Sequence, residues 1–238
     1  MLKSLIEQQN NFQARLDEST YHLYEKEVSQ LETEWMESLK FLECNFKFVG
    51  GIDYIKFPTP TNQKTFVNII YDSSKRCEIL KPGEPLPEGT KTMATSGTIP
   101  CAIKTLLEYF EQDVKLVEIG DMLASNGYLT PDKGTLWSAF DRLMEPIFGI
   151  KTQIQNSIFE LCLSITQKKP VVALIPATYI REHIYCEPSE VHSNEAIIIW
   201  RLAGDNALIT TTSSPGTHEI NLYDLFRIMK RAWSCEQL

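Results

Sequence analysis

Paired cysteines and metal-binding histidine motifs are missing from this sequence. Its six cysteines contain no C-x-x-C pair, and its four histidines contain no H-E-x-x-H spacing. These absences argue against a structural zinc site, and a disulfide framework is not indicated for a chain of 238 residues. Because the G-x-G-x-x-G and Walker motifs are also absent, the sequence predicts no cofactor and no metal.

Long basic runs, long apolar runs and a signal-peptide core are absent as well. No basic run exceeds two residues and the formal net charge is −8, which argues against general nucleic-acid binding. No apolar run approaches the roughly 20 residues that span a membrane. Glu7 interrupts the N-terminus before any apolar signal core. We therefore expect a cytoplasmic protein with neither a nucleic-acid nor a membrane partner.

Glycine and proline do not occur in residues 1–48. Apolar residues recur there at helical spacing, first from Leu2 to Leu16 and again from Leu31 to Phe46. With a break at 17–20, this pattern predicts two long helices or one bent helix. This helical arm either packs on the rest of the protein or contacts a partner. If the partner is a second copy, residues 1–48 would form a homo-oligomer.

Glycine and proline return at Gly50-Gly51, which we expect to end the helical arm. Apolar patterns then predict short strands at 52–57, 66–71 and 76–80, with a loop at 58–63. Residues 81–89 contain three prolines and two glycines, which is typical of a linker. The sequence thus predicts an N-terminal domain at 1–90, made of the arm and short strands, and a second domain at 91–238.

Helices mostly precede strands in the second domain. Helical patterns occur at 97–110, 119–124, 135–148 and 157–168, with a strand at 149–154 among them. Apolar strands follow at 170–175, 195–200 and 207–212, and a last helix is predicted at 222–233. This order indicates an α+β fold rather than alternating βαβ units.

The stretch from Gly97 to Phe110 contains the candidate nucleophile, Cys101. Pro100 suits the first position of a helix, so Cys101 is expected in the first turn. Ser96 and Thr98 can help satisfy the free N–H groups at this end. Those groups and the positive end of the helix dipole favour a thiolate. The alternative is an inert cysteine buried in the core.

These elements, in this order, resemble the papain-like cysteine peptidases, and most of all the bacterial double-glycine leader (bacteriocin-processing) peptidases and their stand-alone relatives. The resemblance rests on short segments at 100–107, 134–135, 148–151 and 161–173, on the hairpin from Glu195 to Pro215, and on the closing helix from Asn221. It extends over about residues 92–235. It implies a papain-like fold, with helices packed on an antiparallel sheet, and a peptide as substrate or ligand.

The resemblance also assigns the catalytic positions. The general-base His of the family aligns with Glu195, and the Asp that orients this His aligns with Ser214. No Gln lies between Lys91 and Pro100 to help form the oxyanion hole of the family, so Thr95 and Ser96 become the candidate oxyanion donors. A carboxylate at Glu195 facing Cys101 would raise the thiol pKa, which is the opposite of what a cysteine peptidase requires.

His192 is the best substitute base in the sequence. Alternation along a strand puts it on the face opposite to Glu195, so it could reach Cys101 only if residues 191–194 form a loop. His218 and His183 are weaker candidates, and His22 is expected to be exposed on the arm.

Three functions follow from these residues. The first is a cysteine peptidase or acyl-transfer enzyme that uses Cys101 with a rearranged base. The second is an inactive papain-like protein that binds a peptide in the same cleft. Both expect the sulfur of Cys101 to open a cleft whose far wall is the strand at 196–200. The third is an interaction protein whose helical arm makes the contacts.

Overall fold

The computed structural model describes residues 48–66, 69–71, 77–81, 83–85, 91–130, 134–185 and 193–238. The predicted helical arm, including His22, lies outside these residues, as do His192 and most of the predicted linker. Within the described part of the chain, no helix combines the length and the apolar character needed to cross a membrane.

Strands and helices alternate irregularly along the described chain. The strands are β1 (Phe48–Gly51), β2 (Ile69–Tyr71), β3 (Cys77–Ile79), β4 (Lys91–Thr92), β5 (Leu129–Thr130), β6 (Gly134–Thr135), β7 (Ile150–Ile154), β8 (Val171–Pro176), β9 (Asn194–Gly204), β10 (Asn206–Thr211), β11 (Thr217–Asn221) and β12 (Arg231–Gln237). The helices are α1 (Met93–Ser96), α2 (Thr98–Tyr109), α3 (Leu116–Ser125), α4 (Ala139–Arg142), α5 (Met144–Phe148), α6 (Ile158–Thr166), α7 (Ala177–His183) and α8 (Leu222–Ile228).

A seven-stranded antiparallel sheet lies at the centre of the described structure. Six strands follow one another in the order β11-β10-β9-β8-β12-β7, and β1 pairs with the far end of β9. The central strands β8 and β9 are almost entirely buried, because both faces of the sheet are covered. β9 and β10 form a hairpin that turns at Gly204, within the hairpin expected from Glu195 to Pro215.

Side chains from the two faces of the sheet form two separate cores. On one face, Ala196, Ile198 and Trp200 of β9 pack against α2, α3, α4 and α5. On the other face, Ile197 and Ile199 pack against α6, α7 and α8. Helices on both sides of one antiparallel sheet confirm the predicted α+β class. The alternation along β9 decides which residues can meet the candidate nucleophile helix.

The helix predicted at 135–148 is divided into two short helices, α4 and α5. Pro146 explains the division. Proline has no N–H group to donate to the carbonyl of Arg142. It is tolerated in the first turn of α5, where the N–H group would lack an intrahelical partner in any case. The prediction of one continuous helix is therefore wrong.

The described residues between 48 and 81 contribute to the same core as the rest, although a separate domain was predicted at 1–90. β1 extends the main sheet through β9, and Ile52, Ile69 and Cys77 lie in one core with Cys101. β2 also pairs with β4, which belongs to the predicted second domain. The predicted boundary therefore does not separate two cores within the described residues.

Gly50-Gly51 lies inside β1, and the strand predicted at 52–57 is replaced by a 3₁₀ turn at Tyr54–Lys56. Gly51 has a φ of +123°, and a Cβ there would lie 2.6 Å from the carbonyl oxygen of Trp200. Glycine is therefore required for the close pairing of β1 with β9.

The end of the chain also differs from its prediction. The side chain of Asn221 accepts hydrogen bonds from the backbone N–H groups of Tyr223 and Asp224, so α8 begins as expected. α8 ends at Ile228 instead of continuing to 233, and Arg231–Gln237 forms β12 between β8 and β7. Trp233 and Cys235 are consequently core residues of the sheet.

Candidate functional site

Cys101 lies near the start of α2, as predicted, but it is a core residue. Its side chain is 0% exposed, and its backbone carbonyl accepts a hydrogen bond from Thr105 Oγ1. Burial raises the pKa of the thiol far above its ordinary value, because a thiolate would lose its hydration there. The expectation of an accessible thiolate is therefore wrong, and the alternative of an inert core cysteine fits this position.

Thr98 is the residue of α2 that faces the start of β9. Its Oγ1 accepts a hydrogen bond of 2.7 Å from the backbone N–H of Ala196. The same oxygen lies 2.8 Å from Thr212 Oγ1, just after β10. Thr98 was expected to help cap the helix. Instead Gly97 is the N-cap residue, without a side-chain hydrogen bond, and the Thr98 hydroxyl ties the helix to the sheet.

Further polar contacts extend along this face of β10. Trp200 Nε1 donates to Thr210 Oγ1 at 2.9 Å, and the backbone N–H of Gln63 donates to the carbonyl of Thr212 at 2.7 Å. The Oε1 atom of Gln63 is buried and has no hydrogen-bond partner among the described residues. Sequence reasoning missed Thr212 and Gln63 and gave Thr98 only a capping role, since single threonines and glutamines carry no recognisable motif.

Glu195 points away from Thr98 and Cys101, toward the other face of the sheet. Its neighbour Ala196 belongs to the core around α2, and alternation places Glu195 with Ile197 on the face of α7. The expectation that Glu195 faces Cys101 is therefore wrong. By the same alternation, Asn194, which is exposed, is the β9 residue that shares the face of Thr98.

Glu195 belongs to a buried polar cluster on the α7 face. Ser213 Oγ donates a short hydrogen bond to Glu195 Oε1, and the hydroxyl of Tyr185 lies 3.0 Å from Ser213 Oγ. Tyr185 also contacts Thr211 Oγ1 at 2.9 Å. Burial raises the pKa of the Glu195 carboxyl, and the hydrogen bonds from Ser213 and the charges of Lys64 and Arg181 oppose this shift only in part.

The remaining predicted site residues are held in local turns. Ser214 Oγ donates to the carbonyl of Pro215, and its backbone N–H donates to Thr211 Oγ1. Thr95 Oγ1 donates to the carbonyl of Thr92, which closes the turn of α1. Ser96 is half-buried and lies beside Gly134, where an added Cβ would be 3.3 Å from the Ser96 Cβ.

Both described histidines lie in the layer opposite α2. His183 is exposed on α7, where its ring stacks on Tyr179 with the ring centroids 3.9 Å apart. His218 is half-buried in β11 opposite Ile209, and burial lowers its pKa. Its Nε2 atom has no hydrogen-bond partner among the described residues. Neither histidine can act as a base for a residue of α2.

The cluster formed by Arg231 and the aromatic residues around it was not predicted from the sequence. The Arg231 guanidinium lies 5.0 Å from the ring centroid of Trp137 and 5.9 Å from that of Trp233. The ring of Trp233 also stacks on Phe140 at 5.0 Å. This cluster was missed because a helix was predicted through residue 233. A strand interpretation would have put Arg231 and Trp233 on one face.

No candidate metal site of three or more His, Cys, Asp or Glu side chains occurs among the described residues. Comparison of the whole chain with protein-family models, with curated proteins and with solved structures gives no match.

Proposed function

We propose that this protein is a catalytically inactive peptide-binding protein of papain-like architecture, and that its peptide-binding groove lies where the start of α2 meets the start of β9. The cleft expected at the sulfur of Cys101 is not this groove, because Cys101 is buried in the core. In support, α2 packs on an antiparallel sheet and its first residue, Thr98, contacts Ala196 in the sheet. This is the arrangement that the resemblance to leader peptidases implies for a substrate cleft. The groove lies three residues before Cys101 on α2.

The hydrogen bonding of Thr98 carries the proposal. A hydroxyl nucleophile needs a base that accepts its proton. The Thr98 oxygen instead accepts the Ala196 N–H and pairs with the hydroxyl of Thr212, which is not a base at neutral pH. The buried Cys101 thiol and the reversed side chain of Glu195 supply no substitute. The described residues at the proposed groove therefore bring no nucleophile and base into contact.

Alkylation of Cys101 tests the inactivity. In the folded protein at pH 7.5, iodoacetamide should modify Cys101 more slowly than it modifies free cysteine, as read by mass spectrometry of the Cys101 peptide. The same protein unfolded in guanidinium should be modified at the rate of free cysteine. Modification of folded Cys101 faster than free cysteine would restore the cysteine peptidase as the better proposal.

A blocking substitution tests the binding. Peptides selected from a random 12-residue library on the intact protein should lose measurable binding by fluorescence polarisation to Asn194→Trp, which fills the groove beside Thr98. Gln237→Trp, an exposed substitution on β12, is the matched control and should bind as the wild type does. Equal binding of the selected peptides by both variants would contradict the groove as the binding site.

A further inference from the structure

We propose that Arg231 and Trp137 form a recognition site for a carboxylate of the bound peptide, with Trp137 receiving an adjacent apolar side chain. This inference rests on the proposed peptide-binding function and names the chemistry that the groove selects.

The guanidinium of Arg231 lies over the faces of two indole rings. Contacts with the faces of Trp137 and Trp233 hold a planar cation in one orientation. The Nε atom of Arg231 is buried and has no hydrogen-bond partner among the described residues. The side chain is 29% exposed, so part of the guanidinium remains accessible to a ligand.

Asp141 is the acidic partner of Arg231, but it does not accept hydrogen bonds from all the N–H groups of the guanidinium. The distance from Arg231 Nη2 to Asp141 Oδ2 is 3.6 Å, which is too long for a hydrogen bond. The other oxygen of Asp141 accepts a hydrogen bond of 2.6 Å from Trp233 Nε1. The carboxylate thus orients both side chains, while Arg231 keeps N–H donors for a second carboxylate. Such pairs are strong and geometrically selective when bidentate.

The sheet register places Arg231 near the groove. Arg231 is opposite Leu174, and Leu174 is opposite Ala196, so the three residues form one row across β12, β8 and β9. Trp233, Leu174 and Ala196 all belong to the core on the α2 face, and alternation places Arg231 on that face too. Two strand spacings separate the Cα atoms of Arg231 and Ala196 by about 10 Å. About three residues of an extended peptide span that distance.

Trp137 provides an apolar surface beside the charge. Its side chain is 43% exposed although it contacts Trp233 edge-to-face at 6.4 Å. A large exposed aromatic ring next to a partly unsatisfied guanidinium fits a ligand that combines an apolar group with a carboxylate. The carboxylate can come from an acidic side chain or from a peptide C-terminus.

Three short peptides distinguish these sources. The probes are acetyl-Gly-Phe-Glu-amide, acetyl-Gly-Phe-Gln-amide and acetyl-Gly-Phe-Gln with a free C-terminus, each titrated into the ¹⁵N-labelled full chain. The indole N–H signals of Trp137 and Trp233 are followed by NMR. We expect one or both carboxylate peptides to shift these signals and the neutral peptide to bind at least about tenfold more weakly. The peptide that binds identifies an acidic side chain or a C-terminus as the natural group.

Substitutions then separate recognition from structural support. Arg231→Gln should weaken binding of the carboxylate peptide at least about tenfold, while Arg231→Lys keeps the charge and should retain part of the affinity. Arg201→Gln is the matched control, because Arg201 is 33% exposed and pairs with Asp53 at 3.8 Å. Since Arg231→Gln can also disturb Trp233, Trp137→Leu provides a second variant. It keeps the charge and should weaken binding of the phenylalanine-containing probe.

Equal shifts with the neutral and the carboxylate peptides, or equal affinity of Arg231→Gln and Arg201→Gln, would overturn the inference and leave Arg231 as a structural cation. If the library peptides bind and depend on Asn194 while the short acidic peptides do not bind, the carboxylate site fails and the proposed function stands. If the acidic peptides bind at Trp137 but no library peptide depends on Asn194, the peptide groove fails separately.

Discussion

Thr98 and Cys101 lie on the same helix, three residues apart, and have opposite surroundings. Thr98 contacts the sheet through its hydroxyl, whereas Cys101 is sealed in the core. Helical periodicity predicted α2 and its apolar face, but apolar spacing does not say which residue of the first turn meets a distant strand. That depends on how the helix is rotated on the sheet. The helix itself was therefore predicted, but the residue of its first turn that contacts the sheet was expected to be Cys101 and is Thr98.

Replacing Thr98 by Val tests the contact between α2 and the sheet. The substitution preserves the shape of the side chain and leaves the Ala196 N–H and the Thr212 hydroxyl without their partner. We expect the free energy of unfolding to fall by about 1–3 kcal/mol, measured by urea denaturation. Thr98→Ser keeps the hydroxyl and should cost less. An equal loss in both variants would mean that the methyl group contributes as much to stability as the hydroxyl does.

Glu195 should make the stability depend on pH. Its folded pKa is raised by burial, so its contribution is fully present below the unfolded pKa of about 4.3 and is lost as the pH rises through the folded pKa. Glu195→Gln mimics the neutral carboxyl and still offers an oxygen to Ser213. It should therefore be more stable than the wild type at pH 7, by on the order of 1 kcal/mol.

Thermal unfolding at pH 4 and pH 7 measures this difference, which should shrink at the lower pH. Glu182→Gln, an exposed substitution on α7, is the control and should show little difference at either pH. A destabilised Glu195→Gln variant at pH 7 would show that the charged carboxylate is favourable in its cluster.

Elements with strong patterns were predicted well, and elements set by tertiary contacts were not. The apolar runs of β8 and β9 and the helical stripes of α2 and α6 agree with the structure. α7, β11 and β12 were missed. The R-A-W-S-C segment of β12 follows the helical pattern of α8 without a clear break, and only its pairing between β8 and β7 makes it a strand.

The pairing of β1 with β9 should depend on Gly51. Gly51→Ala introduces an unfavourable φ and a Cβ that meets the backbone of Trp200. Gly204→Ala introduces an unfavourable φ as well, but its Cβ would meet no atom within 4 Å. We expect Gly204→Ala to cost about 1–2 kcal/mol and Gly51→Ala distinctly more.

Hydrogen exchange of the β1 amides locates the effect: they should lose protection in Gly51→Ala and keep it in Gly204→Ala. Similar losses of stability and protection in the two variants would show that the φ alone matters and that β1 tolerates the added side chain.

At the scale of the whole molecule, the sequence indicated an α+β protein, and one core of the described residues includes side chains from both sides of the predicted boundary at residue 90. A segment rich in proline and glycine is typical of a linker, yet it also suits a connection between parts of one core. β1 and the turn that carries Gln63 lie on the main sheet. The contact of these segments with the main sheet depends on pairing between residues far apart in the chain. Local composition does not predict such pairing.

A chain of residues 91–238 should be much less stable than one of residues 48–238. The shorter chain lacks β1 and the buried side chains of Ile52 and Ile69, and it exposes the core that they cover. Burying each isoleucine contributes roughly 2–3 kcal/mol, so we expect a loss of several kcal/mol or no cooperative unfolding. Calorimetry of the two chains measures this. Equal melting temperatures would support the predicted boundary at residue 90.

The position of β12 has a consequence for biosynthesis. Among the described strands, β7 hydrogen-bonds only to β12, yet β12 is synthesised well after β7 and β8. At about 5–20 residues per second, the ribosome leaves the edges of β7 and β8 open for several seconds before their shared neighbour emerges. The nascent chain should therefore engage chaperones until β12 has emerged, and ribosome-stalled chains that end before Arg231 should be sensitive to proteases.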